Sequence, residues 1–287
     1  MENHCFSIFT CVHKIFIPFL IVCMFNACNQ AEVKIASPAE FKKDPPAQHS
    51  NAGSIKVVHV FVALCDNKYQ GIVPVPAKIG NGQDAANNLY WGCGYGVKTF
   101  FSSQNNWQLL AGKKFNAGSL ILERLVFKYR GKEIYLVADA YDGKEIKSCT
   151  INFLKSCSGN FNDSVLVNNK TIYCGGASEI IAYVGHDGLM DFQLTDSYKA
   201  ADNKKREAML FACISKSYFA KHIKSTGAIP VVWTSGLCSP EAYSLSAALK
   251  SRIENETIEY AALRAAEAYS KYQKCSLRAA QKLLVFN

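Results

Sequence analysis

Glycine and proline are scarce, 18 and 8 of 287 residues, and charged residues make up only 19%. That composition excludes collagen, a coiled coil and wholesale disorder. No Cys-x-x-Cys pair and no Cys/His cluster has zinc spacing, so no structural metal is expected. No Gly-x-Ser-x-Gly elbow is present, which argues against a serine hydrolase. Gly92-Cys93-Gly94-Tyr95-Gly96 does not directly follow a strand, as a dinucleotide fingerprint must, so no cofactor is expected. Gly92 and Gly96, four apart, read as sites of close helix packing. The formal charge is +9, but the Lys-Lys pairs at 42–43, 113–114 and 204–205 are scattered and lack interleaved aromatics. A solvated basic surface is expected, with no nucleic-acid partner.

What is present begins with a targeting segment. An apolar run from Ile15 to Phe25, interrupted by Pro18, is eleven residues long. That suits a signal-peptide core, whereas a bilayer span needs about 20. It ends in Phe25-Asn26-Ala27-Cys28, which resembles the lipobox of bacterial lipoproteins, in which the Cys is lipidated and becomes the new N-terminus. Residues 1–27 are therefore expected to be a signal peptide, and Cys28 the lipid attachment. Residues 28–54, with Pro38 and Pro45-Pro46 among polar side chains, are expected to be a flexible tether. The implied location is the bacterial cell envelope, with the membrane engaged through the N-terminal lipid. Ordinary cleavage without a lipid, or an uncleaved anchor, stays open.

Eight cysteines follow Cys28, at 65, 93, 149, 157, 174, 213, 238 and 275. They are too few for a disulfide-stapled miniprotein. Cys149 and Cys157 are a candidate pair in an oxidising compartment.

Residues 55–287 alternate strand and helix. Short Val-, Ile- and aromatic-rich runs at Ile55–Leu64, Glu133–Ala138, Glu179–Val184, Ala208–Ala212 and Ile229–Thr234 read as buried strands. Helices are expected at Ala85–Phe101, Leu120–Tyr129, Lys147–Lys155, Ser217–Lys224, Pro240–Ile253 and near Ile258–Lys274. The expectation is one α/β domain with a mostly parallel sheet and helices on both faces. The aromatic cluster around Tyr90, Trp91, Phe100 and Phe101 is expected to pack on that sheet, and His59 belongs to its core.

In such sheets ligands gather outside the carboxyl ends of the strands. Gly185-His186-Asp187-Gly188 follows the third strand, and Cys213 follows the fourth. They lie 27 residues apart, room for one crossover between adjacent parallel strands. An imidazole beside a thiol promotes the nucleophilic thiolate and then protonates a leaving amine. Amides at the glycine-flanked turn and at Cys213 can hold an oxyanion.

Gly185-His186-Asp187-Gly188 followed by Phe211-Ala212-Cys213 resembles the histidine-glycine and alanine-cysteine blocks of caspase-like cysteine peptidases, nearest the legumain and gingipain branches. Val60-Phe61-Val62-Ala63 with Asn67 and Tyr69 resembles their first strand and its loop. Asp142 to Ile146, leading to Asn152-Phe153-Leu154, resembles the segment before their histidine strand. Val232-Trp233-Thr234-Ser235 with Ser239 to Ser244 resembles their fifth strand and specificity loop. The likeness spans roughly residues 55–248.

The resemblance implies a caspase-like three-layer α/β sandwich. It implies Cys213 as nucleophile, His186 as general acid/base, and oxyanion donors on the backbone of Cys213 and of Asp187 or Gly188. Asp187 interrupts the usual His-Gly pair, and Phe211 stands where family members carry Glu or Gln lining the specificity pocket. Asp66 and Glu241 are then the candidate substrate-binding carboxylates. The expected activity is hydrolysis of a protein or peptide substrate through a thioester. Two other readings stay open: an inactive relative that binds a protein or peptide at the same rim, and an unrelated envelope binding protein in which Cys213 is simply buried. Lys204-Lys205-Arg206 reads as an exposed loop, either processed or merely solvated.

Overall fold

The computed structural model describes residues 56–286, so the signal peptide, Cys28 and the tether lie outside the described residues. The strands are β1 (Val57–Ala63), β2 (Trp107–Lys114), β3 (Ile121–Tyr129), β4 (Tyr135–Tyr141), β5 (Asn162–Val167), β6 (Lys170–Gly175), β7 (Ile180–Gly185), β8 (Glu207–Phe211), β9 (Ile229–Thr234) and β10 (Leu284–Val285). The helices are α1 (Val97–Ser103), α2 (Ile146–Cys157), α3 (Ser215–Thr226), α4 (Ala242–Ile253), α5 (Ile258–Gln273) and α6 (Leu277–Leu283).

Eight strands form one sheet in the order β10-β9-β8-β7-β1-β4-β3-β2, and β5 and β6 form a separate hairpin. The central five, β9-β8-β7-β1-β4, are parallel, and the outer pairings are antiparallel. Alternation along β1 shows why the sheet is covered twice. Val58, Val60 and Val62 enter a core shared with α1, α4 and α5. Phe61 and Ala63 enter a second core with α2 and α3. Strands buried on both faces read as continuous apolar runs, as β1 and β7 do. The protein is thus an α/β three-layer sandwich with a mostly parallel sheet, the architecture expected of a caspase-like fold. Among the described residues no helix is long and apolar enough to cross a membrane.

All five expected strands are present within a few residues. Leu120–Tyr129 is not a helix but strand β3, paired on both sides with β2 and β4. A short apolar run has the same appearance in a buried strand and a buried helix, so periodicity alone misassigned it. Two of its three charged residues, Glu123 and Arg124, are buried yet satisfied. Glu123 accepts from Trp91 Nε1 at 2.6 Å and Lys98 Nζ at 2.8 Å, and Arg124 forks onto Asp139. Of Ala85–Phe101, only the part from Val97 is helical. The stretch before it is a set of turns tied by buried Asn88, whose amide accepts from the N–H groups of Cys65 and Tyr90 and donates to the Cys65 carbonyl. Gly92 and Gly96 serve those turns, not a helix pair: a Cβ would lie 2.0 Å from the Ala86 oxygen or 2.5 Å from the Trp91 backbone. The aromatic cluster does pack on the sheet.

His59 is indeed core, and its tautomer follows from its contacts. Nδ1 accepts the Gly175 N–H at 2.9 Å, so Nε2 carries the proton and donates to Asp139 at 2.9 Å. Arg124 bridges Asp139 to Asp163 of the hairpin. This network, buried except at Asp163, joins the β5–β6 hairpin to the main sheet. Cys149 and Cys157 are both free and lie on one helix, α2. Eight residues of helix separate them by about 12 Å, beyond a disulfide's reach of about 7 Å between Cα atoms. Arg206 is also not exposed: it is 3% accessible and forks onto Asp202, with Nε donating to the Gly176 carbonyl.

Candidate active site

The order in which the chain adds strands reverses between β1 and β7: β1 leads to β4 on one side, whereas β7, β8 and β9 succeed one another on the other. That switch point is where doubly wound sheets open a crevice at their carboxyl ends. Val184 of β7 pairs in register with Phe211 of β8. His186 and Cys213 each stand two residues beyond that pair, so both reach the same rim.

The histidine is built onto β7 by a glycine. Gly185 has φ of +141°, and a Cβ there would lie 2.5 Å from the Ala63 oxygen. The Tyr183 hydroxyl donates to the His186 carbonyl at 2.8 Å. Beyond it, a 3-10 turn at Gly188–Met190 is capped by Asp187, which accepts the Leu189 N–H at 2.9 Å. The turn closes through Met190, Asp191 and Phe192 amides onto the Asp187 and Gly188 carbonyls. The amides of Asp187 and Gly188 themselves take no part in these closures. The turn delivers Asp191 back to the imidazole, with Oδ2 2.9 Å from Nε2. Asp191 is held in turn by the Gly71 N–H at 2.9 Å, from the loop after β1. Burial pushes the His186 pKa down and Asp191 opposes it.

Cys213 sits at a strand–turn–helix corner between β8 and α3. The next residue, Ile214, is left-handed at φ of +52°, a costly conformation for a β-branched side chain. It persists because its surroundings over-determine it. The Ile214 amide donates to the Gly236 carbonyl at 2.8 Å. The Ser215 amide donates to Thr234 Oγ1 at 3.1 Å, and the Thr234 amide to Ser215 Oγ at 2.9 Å. Helix α3 begins there, and its amino end favours a thiolate.

The thiol is half-buried, unlike those of Cys65, Cys149, Cys157 and Cys174. Its nearest partner is Cys238, in the loop after β9, whose amide nitrogen and carbonyl oxygen each lie 3.4 Å from Cys213 Sγ. Hydrogen bonds from the Cys238 thiol and amide pull the Cys213 pKa down to about 7. The bonded proton is correspondingly hard to remove from Cys238, whose pKa is pushed well up. The carboxyl that faces the thiol is Asp187. Burial and the neighbouring Cys213 raise its pKa to about 7, and its Oδ2 is buried without a partner. No hydrogen bond joins the imidazole to the thiol among the described residues.

The two proposed pocket carboxylates are both buried and hydrogen-bonded. Asp66 is 2% exposed, and both of its oxygens are occupied within the loop by the amides of Lys68 and Tyr69 and by Gln83 Nε2. It braces the loop, because an aspartate two residues before an amide closes its own turn. Glu241 stands just before α4 and accepts from the Tyr243 hydroxyl at 2.9 Å and Gln273 Nε2 at 3.1 Å, and burial raises its pKa. Sequence reasoning missed Asp191, Cys238 and Tyr90, a buried phenol in the field of Cys65, Cys213, Cys238 and Glu241. The spacing His-x4-Asp across a glycine turn was the available signal for Asp191, and none marked the other two. Among the described residues no group of His, Cys, Asp or Glu is arranged to hold a metal ion. Comparison with protein-family models, curated proteins and solved structures returns no match for this chain.

Proposed function

We propose that the protein is an exported, lipid-anchored cysteine peptidase of the caspase-like type, with Cys213 as nucleophile and His186 as general acid/base. The observation that carries this reading is the Val184–Phe211 register, with a low-pKa thiol and a carboxylate-oriented imidazole emerging from neighbouring strands. Nucleophile, base and a third group orienting the base form the recurring logic of such sites, and Asp191 takes the third place.

In the proposed reaction the Cys213 thiolate attacks the scissile carbonyl carbon of a peptide. The resulting oxyanion accepts hydrogen bonds from the amides of Cys213 and of Asp187 or Gly188. Collapse breaks the C–N bond, and the amine leaves with a proton from His186, giving a thioester. Water, deprotonated by His186, then attacks the thioester, releasing the acid and restoring the thiol. Closing from the present arrangement requires the imidazole to approach a sulfur now bonded to Cys238. Catalytic hydrogen bonds commonly tighten only when substrate is bound. Asp66, in the loop after β1, and Glu241, just before α4, are the candidates to meet a basic substrate side chain.

A second reading, a catalytically inactive protein that binds a peptide at this rim, is favoured by the same contact: the thiol pairs with Cys238, and the carboxyl it faces is Asp187. One experiment separates the two. The full chain in detergent, with its Cys213→Ala and His186→Ala variants, is incubated with a mixed peptide library and the products are read by mass spectrometry. Cleavage by wild type that disappears in both variants supports the peptidase. Peptide retention without cleavage in any sample supports the binding protein.

A further inference from the structure

The rim holds a second thiol, Cys238, that takes no bond-making step in hydrolysis. Cys213 Sγ lies against the backbone of Cys238, 3.4 Å from both its amide nitrogen and its carbonyl oxygen, and the two thiols share a hydrogen bond. We infer that Cys213 and Cys238 form a reversible disulfide when the protein meets a low-molecular-weight disulfide, and that this oxidation switches the site off. The regulatory half of this inference rests on the peptidase reading above; the disulfide itself does not.

The chemistry divides between the two sulfurs. Cys213 is half-buried and partly thiolate near neutral pH, so it is the attacking group. Attack on RS–SR forms a Cys213–S–SR mixed disulfide and expels RS⁻. Capping Cys213 removes the negative sulfur that held the Cys238 proton, the first cause of that thiol's high pKa. Cys238 then loses its proton to solvent or to the departing thiolate, attacks the Cys213 sulfur and expels the second RS⁻. In sum, two protein thiols and RSSR give one protein disulfide and two RSH.

The neighbouring thiol Cys65 does not compete. It is fully buried, and burial together with Asp66 raises its pKa to about 12. Cys238 belongs to the loop of residues 235–241, between β9 and α4, which is free of regular structure. The disulfide therefore requires a shift of a loop, not of a strand. In the product the nucleophilic sulfur is bonded and cannot attack a carbonyl. An oxidising envelope is a compartment in which such a bond persists until reduced.

The test uses the full chain in detergent, incubated with oxidised glutathione, quenched by acid alkylation and digested for mass spectrometry. The expected result is a Cys213–Cys238 cross-linked peptide that dithiothreitol removes. Cys238→Ser and Cys238→Ala are each expected to trap glutathione on Cys213, and Cys213→Ser to leave Cys238 unmodified. A wild-type chain that accumulates glutathione on Cys213 without the cross-link overturns the inference. So does oxidation that falls equally on the half-buried Cys93 and Cys275. Peptide hydrolysis is followed in the same samples and is expected to fall at least about tenfold on oxidation and return on reduction. Cross-linking in a chain that cleaves nothing leaves the disulfide standing and overturns the peptidase reading alone.

Discussion

Asp191 Oδ2 lies 2.9 Å from His186 Nε2 and, on its other side, accepts the Gly71 amide at 2.9 Å. The carboxylate therefore joins the turn after β7 to the loop after β1 across the switch point of the sheet. It leaves Nδ1 as the ring nitrogen available for proton transfer. A Cβ on Gly71 would lie 2.3 Å from Asp191 Oδ1, so the approach depends on glycine there.

Asp191→Asn is expected to lower peptide hydrolysis roughly 100-fold or more, within the range that general acid–base catalysis contributes. Loss of the carboxylate also removes the only influence that raises the His186 pKa against burial. The acidic limb of the pH–rate profile should move to lower pH. Steady-state kinetics across pH measure both effects. An unchanged profile would show that the imidazole acts independently of Asp191.

Asp187 gives a stability prediction of definite sign. Its carboxyl titrates at about 7 in the fold, against an ordinary 3.8. The folded state therefore binds the extra proton between these values, and stability falls as pH rises through that window. Asp187→Asn keeps an oxygen for the Leu189 amide while removing the ionisation. Urea titrations should find the variant more stable than wild type around pH 8, with the two converging around pH 4. The variant should also alkylate at Cys213 at lower pH, because the negative neighbour of the thiolate is gone.

Gly185→Ala tests the link between backbone and site. The left-handed φ and the 2.5 Å approach to the Ala63 oxygen both oppose a side chain. A cost of about 3 kcal/mol is expected, with hydrolysis impaired further because His186 is the next residue. Denaturant unfolding beside kinetics checks this. A stability loss within about 0.5 kcal/mol would mean that β1 and β7 can part more freely than their packing implies.

Asp139 sits at the centre of the network that ties the β5–β6 hairpin to the main sheet, away from the site. His59 and Arg124 keep its pKa down against complete burial. Its stabilisation is therefore present above the ordinary carboxylate range and lost as pH falls through it. Asp139→Asn leaves Arg124 with less compensation and is expected to cost about 3–5 kcal/mol near neutral pH. The loss should shrink in acid. Activity per folded molecule should stay at the wild-type level, which distinguishes this network from the rim.

Several features were determined by the sequence alone. β1, β7 and β8 are written as nearly continuous apolar runs, interrupted only by His59 and Glu207, because a strand covered on both faces has no polar side to display. Gly185 and Gly188 mark where the apolar run of β7 stops, and Cys213 closes the run of β8, which makes His186 and Cys213 rim residues. Other features were decided only in three dimensions. β3 carries Glu123 and Arg124 in the core, and only the partners Trp91, Lys98, Asp139 and Asp163 make that burial affordable. That Asp66 is tied to Lys68, Tyr69 and Gln83 is seen only in the folded loop. Cys238 lies 25 residues beyond Cys213, with a helix and a strand between them, and no periodicity links the two. Their meeting depends on β8 and β9 lying side by side, because a sulfur-to-backbone contact of 3.4 Å exists only where folding brings distant chain together.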